Sequence, residues 1–300
     1  MGQAYHVLAM ERYWMGQPRQ GVDCSHEAIA ALERTGETYR VGMGYFVLGL
    51  NTLLLGDFDH ALEATARARA IGEAVEDARL QTLAAWTAGW VYATRGDWDD
   101  GIATCQRALD TSSDPLNTTF AMGWLGYAYL EKGLPAEAIP LLGQAAQHLR
   151  QYDYRRLEGL YTTLLGEAHR LQGELDTARY FVRQGETLVR GEQYGTGIAW
   201  AQRTLGRIAL AEDDLAAAHE HFQAALTTFT AIQARFETAR THVDLADLAQ
   251  HQGSRDALTL HLTEAYHGFA ALQAPVYIER TIQRAGEFGL TFTEPPGGDG

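Results

Sequence analysis

Arg203 and Arg207 stand four residues apart, so on a helix both guanidinium groups can meet one carboxylate or phosphate. That is binding chemistry, and the signatures of catalysis do not accompany it. Lysine occurs once, at Lys132, and Gly133 follows it, so the Gly-Lys-Ser/Thr of a phosphate loop is absent. No Gly-x-Ser-x-Gly and no His-Glu-x-x-His occurs. Gly42-x-Gly44 lacks the third glycine and the preceding strand of a dinucleotide loop. His219 and His221, two apart on a helix, point in different directions, and no carboxylate–histidine pair has zinc spacing. Cys24 and Cys105 are too few for a disulfide framework and read as buried free thiols, which suits a reducing cytoplasm. Asn117-Thr118-Thr119 matches a glycosylation sequon without a secretion signal to support it. We therefore expect a non-enzyme with no catalytic residue, no cofactor and no metal.

The elements that position these residues form an internal repeat. Turn-like segments recur at Gly16, Gly56, Gly96, Gly133, Gly173, Asp213 and Gly253, spaced 40, 40, 37, 40, 40 and 40 residues apart. Helical patterns flank each turn, as Trp86, Gly89 and Trp90 do before Gly96 and Ile102, Cys105 and Ala108 after it. An acidic residue follows the turn in several copies, where a carboxylate can cap free N–H groups. Pro135 falls where a first helical residue belongs, and Pro140 predicts a modest kink. The predicted hairpins pair 2–15 with 18–35, 38–55 with 58–72, and 77–95 with 98–110. They continue with 116–132 and 135–150, 155–172 and 175–190, 195–212 and 215–232, and 236–252 and 255–272. A lone helix over 276–287 closes the array.

Aligning the turns exposes a motif. Seven residues before each turn stands a small residue: Ala9, Gly49, Gly89, Gly126, Gly166, Gly206 and Ala246. Leucine precedes it in six copies, with Ala88 departing. Small residues also recur five after the turn (Gly21, Ala61, Gly101, Ala138, Ala178, Ala218, with Leu258 departing) and twelve after it (Ala28 to Ala265). Tyr92 and Tyr129 fill a further aromatic position. This resembles the tetratricopeptide repeat, L-G-x-x-Y…G-x-x-x-x-A…A, whose small residues let paired helices approach closely. The unit departs in length, mostly 40 residues against the usual 34. Units of this length resemble the helical-repeat regions of large bacterial regulators, such as maltose-activator-like transcription regulators and cyclase/ATPase fusions. The stretch from Leu205 to Gly289 is the most similar to the end of such a region.

The resemblance implies an all-α, right-handed α-solenoid of about seven hairpins plus a C-terminal capping helix. It also implies that the first helix of each hairpin lines a concave groove. Positions carried over from the small-residue landmark place Phe46, Leu50, Trp86, Trp90 and Tyr127 in the N-terminal half. They place Glu167, Arg170, Arg203 and Arg207 in the C-terminal half. Two readings stand side by side. In one, an aromatic shelf beside an arginine cluster binds a protein or peptide segment with apolar anchors and an acidic group. In the other, the aromatics pack on one another and the arginines pair with Glu167 and nearby acids. Trp98 reads as hairpin packing.

Composition bounds the rest. A net charge of −14 over 300 residues opposes nucleic-acid binding, and no run of 18 apolar residues suggests a membrane span. No basic-then-apolar leader opens the sequence, so a cytoplasmic location is expected. The first helix carries roughly ten fewer residues before its landmark than other copies, which reads as a fragment of a longer protein or a natural start with a short helix. Residues 1–288 are expected to form one superhelical domain and 289–300 a disordered tail. In the capping helix, Tyr277, Ile278 and Ile282 are expected inside and Glu279, Arg280, Gln283 and Arg284 in water. The function expected is an interaction scaffold or sensor, the repeat region of a larger bacterial signalling or transcription regulator. The alternative is a small-ligand or signalling-peptide sensor whose superhelix closes on binding.

Overall fold

The 40-residue pattern becomes fifteen helices in the computed structural model, which describes residues 1–292. Hairpins one to three are α1 (Gly2–Trp14) with α2 (Pro18–Glu33), α3 (Thr38–Leu55) with α4 (Phe58–Ala74), and α5 (Ala78–Arg95) with α6 (Trp98–Thr111). Hairpins four and five are α7 (Pro115–Glu131) with α8 (Pro135–Gln151), and α9 (Arg155–Leu171) with α10 (Leu175–Gly191). Hairpins six and seven are α11 (Gly195–Ala211) with α12 (Leu215–Ala231), and α13 (Arg235–His251) with α14 (Arg255–Ala271). The lone α15 (Pro275–Glu287) follows. No strand occurs among the described residues, and the architecture is the expected helical-repeat solenoid. Residues 293–300, most of the expected tail, lie outside the described residues. Of the tail's first residues, Leu290 and Phe292 pack on the last hairpin, Phe292 stacking on Tyr266 at 4.4 Å.

Local chemistry explains the boundaries. Asp77, Asp114 and Asp214 cap their helices by accepting backbone N–H groups, at 2.7 Å from Leu80 in the first case. Pro18, Pro115, Pro135 and Pro275 sit in first turns, where the missing N–H costs nothing. Asp97 departs from the capping expectation, because its carboxylate binds Arg95 instead. Helix α8 runs on through Pro140. The buried Asn117 occupies the sequon.

The landmark glycines sit where helices touch. A Cβ at Gly89 would meet Cys105 Sγ at 2.3 Å, and one at Gly166 the Ala178 carbonyl at 2.8 Å. Cys105 is fully buried, and burial pushes its thiol far up, so it is a core group rather than a nucleophile.

The solenoid curls until its two ends meet along a seam. The turn at Gly16 abuts Ile232, the turn at Gly56 abuts Leu272, and the turn at Gly96 abuts Val276, all distant in sequence. Aromatic contacts fasten the seam: Trp14 to Tyr194 at 5.4 Å, Phe58 to Phe236 at 5.5 Å, and Arg280 stacked over Trp98 at 4.7 Å. By contrast, Gly133, Gly173 and Gly253 hold the same left-handed turn conformation and face open space. The seam also corrects the register of α15. Tyr277, Thr281 and Ala285 face inward, whereas Ile282 is 49% exposed, because the inner stripe follows every fourth residue from Tyr277.

Candidate functional site

The curl decides which groove residues reach a ligand. Phe46, Leu50, Trp86 and Trp90 are each at most 5% exposed and belong to the central core. The aromatic shelf is therefore corrected to a packed stack. Trp90 lies on Trp124 at 3.7 Å, Trp86 on Trp124 at 6.4 Å, and Phe46 against Trp86 at 5.6 Å. Neighbouring first helices approach so closely that rings from successive hairpins interleave. Gly123 makes this possible: a Cβ there would stand 2.1 Å from the Tyr161 ring. A Trp98 role in hairpin packing becomes a seam contact, through Arg280.

Beyond this stack the lumen is hollow. A cavity of about 600 Å³ opens among α7, α9, α11, α13 and α15. Tyr127, Glu167, Arg170, Arg203 and Arg207 all line it, so five of the nine predicted groove residues converge there, although Tyr127 and Arg203, 1% and 5% exposed, are as buried as the stack. Tyr127 forms the junction between the two regions, with one ring face toward Trp200 at 5.4 Å and an edge contact to Trp124. A second, smaller hollow of about 270 Å³ shares Arg207, Arg240, Val243 and Tyr277 with the first.

The cavity wall is a ladder of buried ion pairs. Arg170 grips Glu167 with two nitrogens, at 2.8 and 2.9 Å. Arg207 bridges Glu167 and Asp244, both at 2.8 Å. Arg203 bonds Glu237, with Asp244 at 3.7 Å from its Nε. Arg240 bonds Glu131 at 2.9 Å, and the Tyr277 hydroxyl donates to the same carboxylate at 3.4 Å. Thus Arg203 and Arg207 do share one acid, but that acid is Asp244 of this chain.

Electrostatics follow from burial and pairing together. Burial alone would raise the Glu167 carboxyl, yet Arg170 and Arg207 overcome it and hold its pKa down at about 2. Glu237 is likewise held below the usual range by Arg203 and Arg240 against its burial. Burial lowers Arg203, Glu237 notwithstanding. Asp247 goes the other way: burial raises it despite Arg284. Several polar atoms in or beside the cavity lack a hydrogen-bond partner among the described residues: Trp200 Nε1, Arg240 Nη1, Arg284 Nε and Asp244 Oδ2.

Trp200, Arg240, Glu237, Asp244 and Glu131 escape a reading of single helix positions. Trp200 and Arg240 each stand six residues before their landmark, one turn beyond the stripe, so extending the stripe by a turn finds both. Asp244 reaches the cavity wall through a side chain directed at Arg207 of a neighbouring hairpin, and Glu237 stands behind the wall on Arg203. Histidines also meet unexpectedly. His242 and His261 approach Nδ1 to Nδ1 at 3.1 Å across the seventh hairpin, and burial pushes both below the usual histidine range. Among the described residues no three His, Cys, Asp or Glu side chains are grouped to hold a metal ion, and no helix is long and apolar enough to cross a membrane.

No family model matches the chain, and no curated protein matches it. Solved structures do resemble it. The Rap conjugation gene regulator of plasmid pLS20 in complex with the Phr* peptide superposes with a TM-score of 0.73 at 14% identity, over 95% of this chain and 75% of that one. NprR in complex with its cognate peptide NprX gives 0.70 at 12% identity, over 98% and 83%. The apo form of RapI gives 0.63 at 11% identity, over 94% and 99%. At such identities the likeness concerns the fold, a tetratricopeptide-like helical solenoid.

Proposed function

We propose that this chain is a non-catalytic module that binds a short peptide or protein segment in the hollow half of its lumen. The observation that carries the reading is the cavity itself. Its volume of about 600 Å³ is that of a ligand pocket, and aromatic rings (Tyr127, Trp200, Tyr277) converge there with fixed charges. Aromatic surface supplies contact area in such a site and placed polar groups fix orientation. Two of the similar folds carry peptides in their solved complexes, which supports the same use here. In this reading the module serves a larger bacterial signalling or transcription regulator in the cytoplasm, and its net charge of −14 leaves nucleic acid as a poor partner.

A second reading, a sensor whose superhelix closes on its ligand, is favoured by the seam. Glu131 and Tyr277 belong to both the seam and the cavity wall, so a ligand held there bears directly on closure.

The test is to fill the hole. Val243 lines both hollows and is only partly buried. A random heptapeptide display library panned on the whole chain is expected to yield enriched binders, and Val243→Trp is expected to abolish their binding while circular dichroism stays helical. Undiminished binding by a folded Val243→Trp protein would refute the site.

A further inference from the structure

We infer that the cavity selects a segment carrying an acidic and a basic group close together, rather than an acid alone. The inference rests on the peptide-binding reading above and names the chemistry of its ligand.

The first ground is the charge balance of the wall. Arg170, Arg203, Arg207 and Arg240 line it and each holds a carboxylate, from Glu131, Glu167, Asp244 or, behind Arg203, Glu237; Arg280, also in the lining, is stacked over Trp98 instead. A lone ligand carboxylate arriving at Arg207 must displace Glu167 or Asp244. The displaced carboxylate is only 6% or 7% exposed, so it loses its pair where it is largely desolvated. Breaking a buried pair while leaving one partner unpaired is strongly unfavourable. A cation-only ligand meets the mirror problem when it takes Asp244 from Arg207. A ligand bringing both signs exchanges pair for pair. Its carboxylate takes a guanidinium, its own cation takes the released acid, and the number of buried unpaired charges stays at zero.

The second ground is hydrogen bonding rather than charge. Hydrogen-bonding capacity left open around the cavity is itself of both kinds. Trp200 Nε1 and, in the smaller hollow, Arg284 Nε are donors without a hydrogen bond; Arg240 Nη1 and Asp244 Oδ2 also make none, though Glu237 and Arg203 lie 3.7 Å from them. Trp200 and Asp244 are both more than nine-tenths buried. An acid alone satisfies the donors and leaves the acceptor orphaned, and an unmade bond at a buried group is costly.

Asp244 is therefore the residue that imposes the basic requirement. Its Oδ1 accepts from Arg207 at 2.8 Å, while its Oδ2 makes no hydrogen bond and stands 3.7 Å from Arg203 Nε. Asp244→Asn keeps the shape, removes the charge and leaves Arg207 partly unclaimed.

The experiment pans the random heptapeptide display library on the full chain, then compares the best binder with synthetic versions stripped of its base or of its acid. With the wild-type chain, enriched sequences are expected to pair an acid with a base. The acid-only version is expected to bind at least tenfold more weakly than the parent. On Asp244→Asn the order is expected to change, the acid-only version binding as well as the parent or better. Should Asp244→Asn lose its helicity, Asp244→Ser, which removes the same charge with a smaller polar side chain, takes its place. An acid-only peptide that binds the wild type as tightly as the mixed one overturns the inference and leaves peptide binding intact. Enrichment of uncharged sequences does the same. No enrichment at all overturns both this inference and the peptide-binding reading.

Discussion

In hairpins two and three, the lumen positions three residues before the landmark carry Phe46 and Trp86; in hairpins five to seven they carry Thr163, Arg203 and Val243. The same helix positions on the same repeat therefore yield a filled lumen at one end and a hollow at the other. Rings attract through large areas of nondirectional contact, so Trp86, Trp90 and Trp124 collapse until they touch. Guanidinium groups instead demand carboxylates at fixed directions and distances. Arg207 stretches between Glu167 and Asp244 and props their helices apart. One end of the array is thus filled by nondirectional packing and the other is lined by directional ion pairs around a hollow.

That contrast can be broken at its strongest point first. Trp124→Ala removes a ring 1% exposed at the centre of the stack and is expected to cost about 3 to 5 kcal/mol in chemical denaturation. A loss under about 1 kcal/mol would mean that the filled half contributes little. The next test sharpens the charged half by pH. The carboxyl of Glu167 is held at about 2 in the folded chain and lies near 4.5 when free. A depressed carboxylate stabilises the fold above its unfolded pKa, and that contribution drains away as pH falls from about 4.5 through about 2. Its size is on the order of 3 kcal/mol, and Glu167→Gln is expected to flatten the acid limb of a stability–pH profile over that window. An unchanged limb in the variant would place the acid sensitivity elsewhere.

The smallest effect separates seam from turn. Gly16 and Gly253 hold nearly the same backbone angle, φ +67° and +68°, so alanine strains both turns alike. Only at Gly16 does the new Cβ meet the seam, 2.5 Å from Ile232. Gly16→Ala is expected to destabilise by about 1 to 3 kcal/mol more than Gly253→Ala, read from paired thermal melts. Equal losses would show that the seam is loose enough to yield.

The repeat was legible in the sequence because its signals are local. Turn glycines, landmark residues and helical spacing lie within one 40-residue window, and the helices fall within two residues of their expected ends. Five groove residues were legible for the same reason, as one face of one helix per repeat. What escaped is what curvature brings together. Nothing local in Gly16 announces Ile232, and nothing in Glu131 announces Arg240 or Tyr277. The burial of Phe46, Leu50, Trp86 and Trp90 has the same origin, since exposure of a lumen face depends on how tightly the whole array curls. Arg203 and Arg207 were legible as a fork for an acid, but the acid that fills it comes from α13, a hairpin away.

The seam also changes how the molecule must come apart. An open array of repeats melts piecemeal, because each unit leans only on its neighbours. Here Trp14 rests on Tyr194 and Phe58 on Phe236, contacts that span most of the chain. Releasing the first two hairpins strips support from the sixth and seventh, so loss of one end is felt at the other. Such distant closures form late in folding, after the intervening repeats have ordered, because of the entropy of bringing remote segments together. The last step of folding is then the joining of the two ends, and the first step of unfolding is their parting.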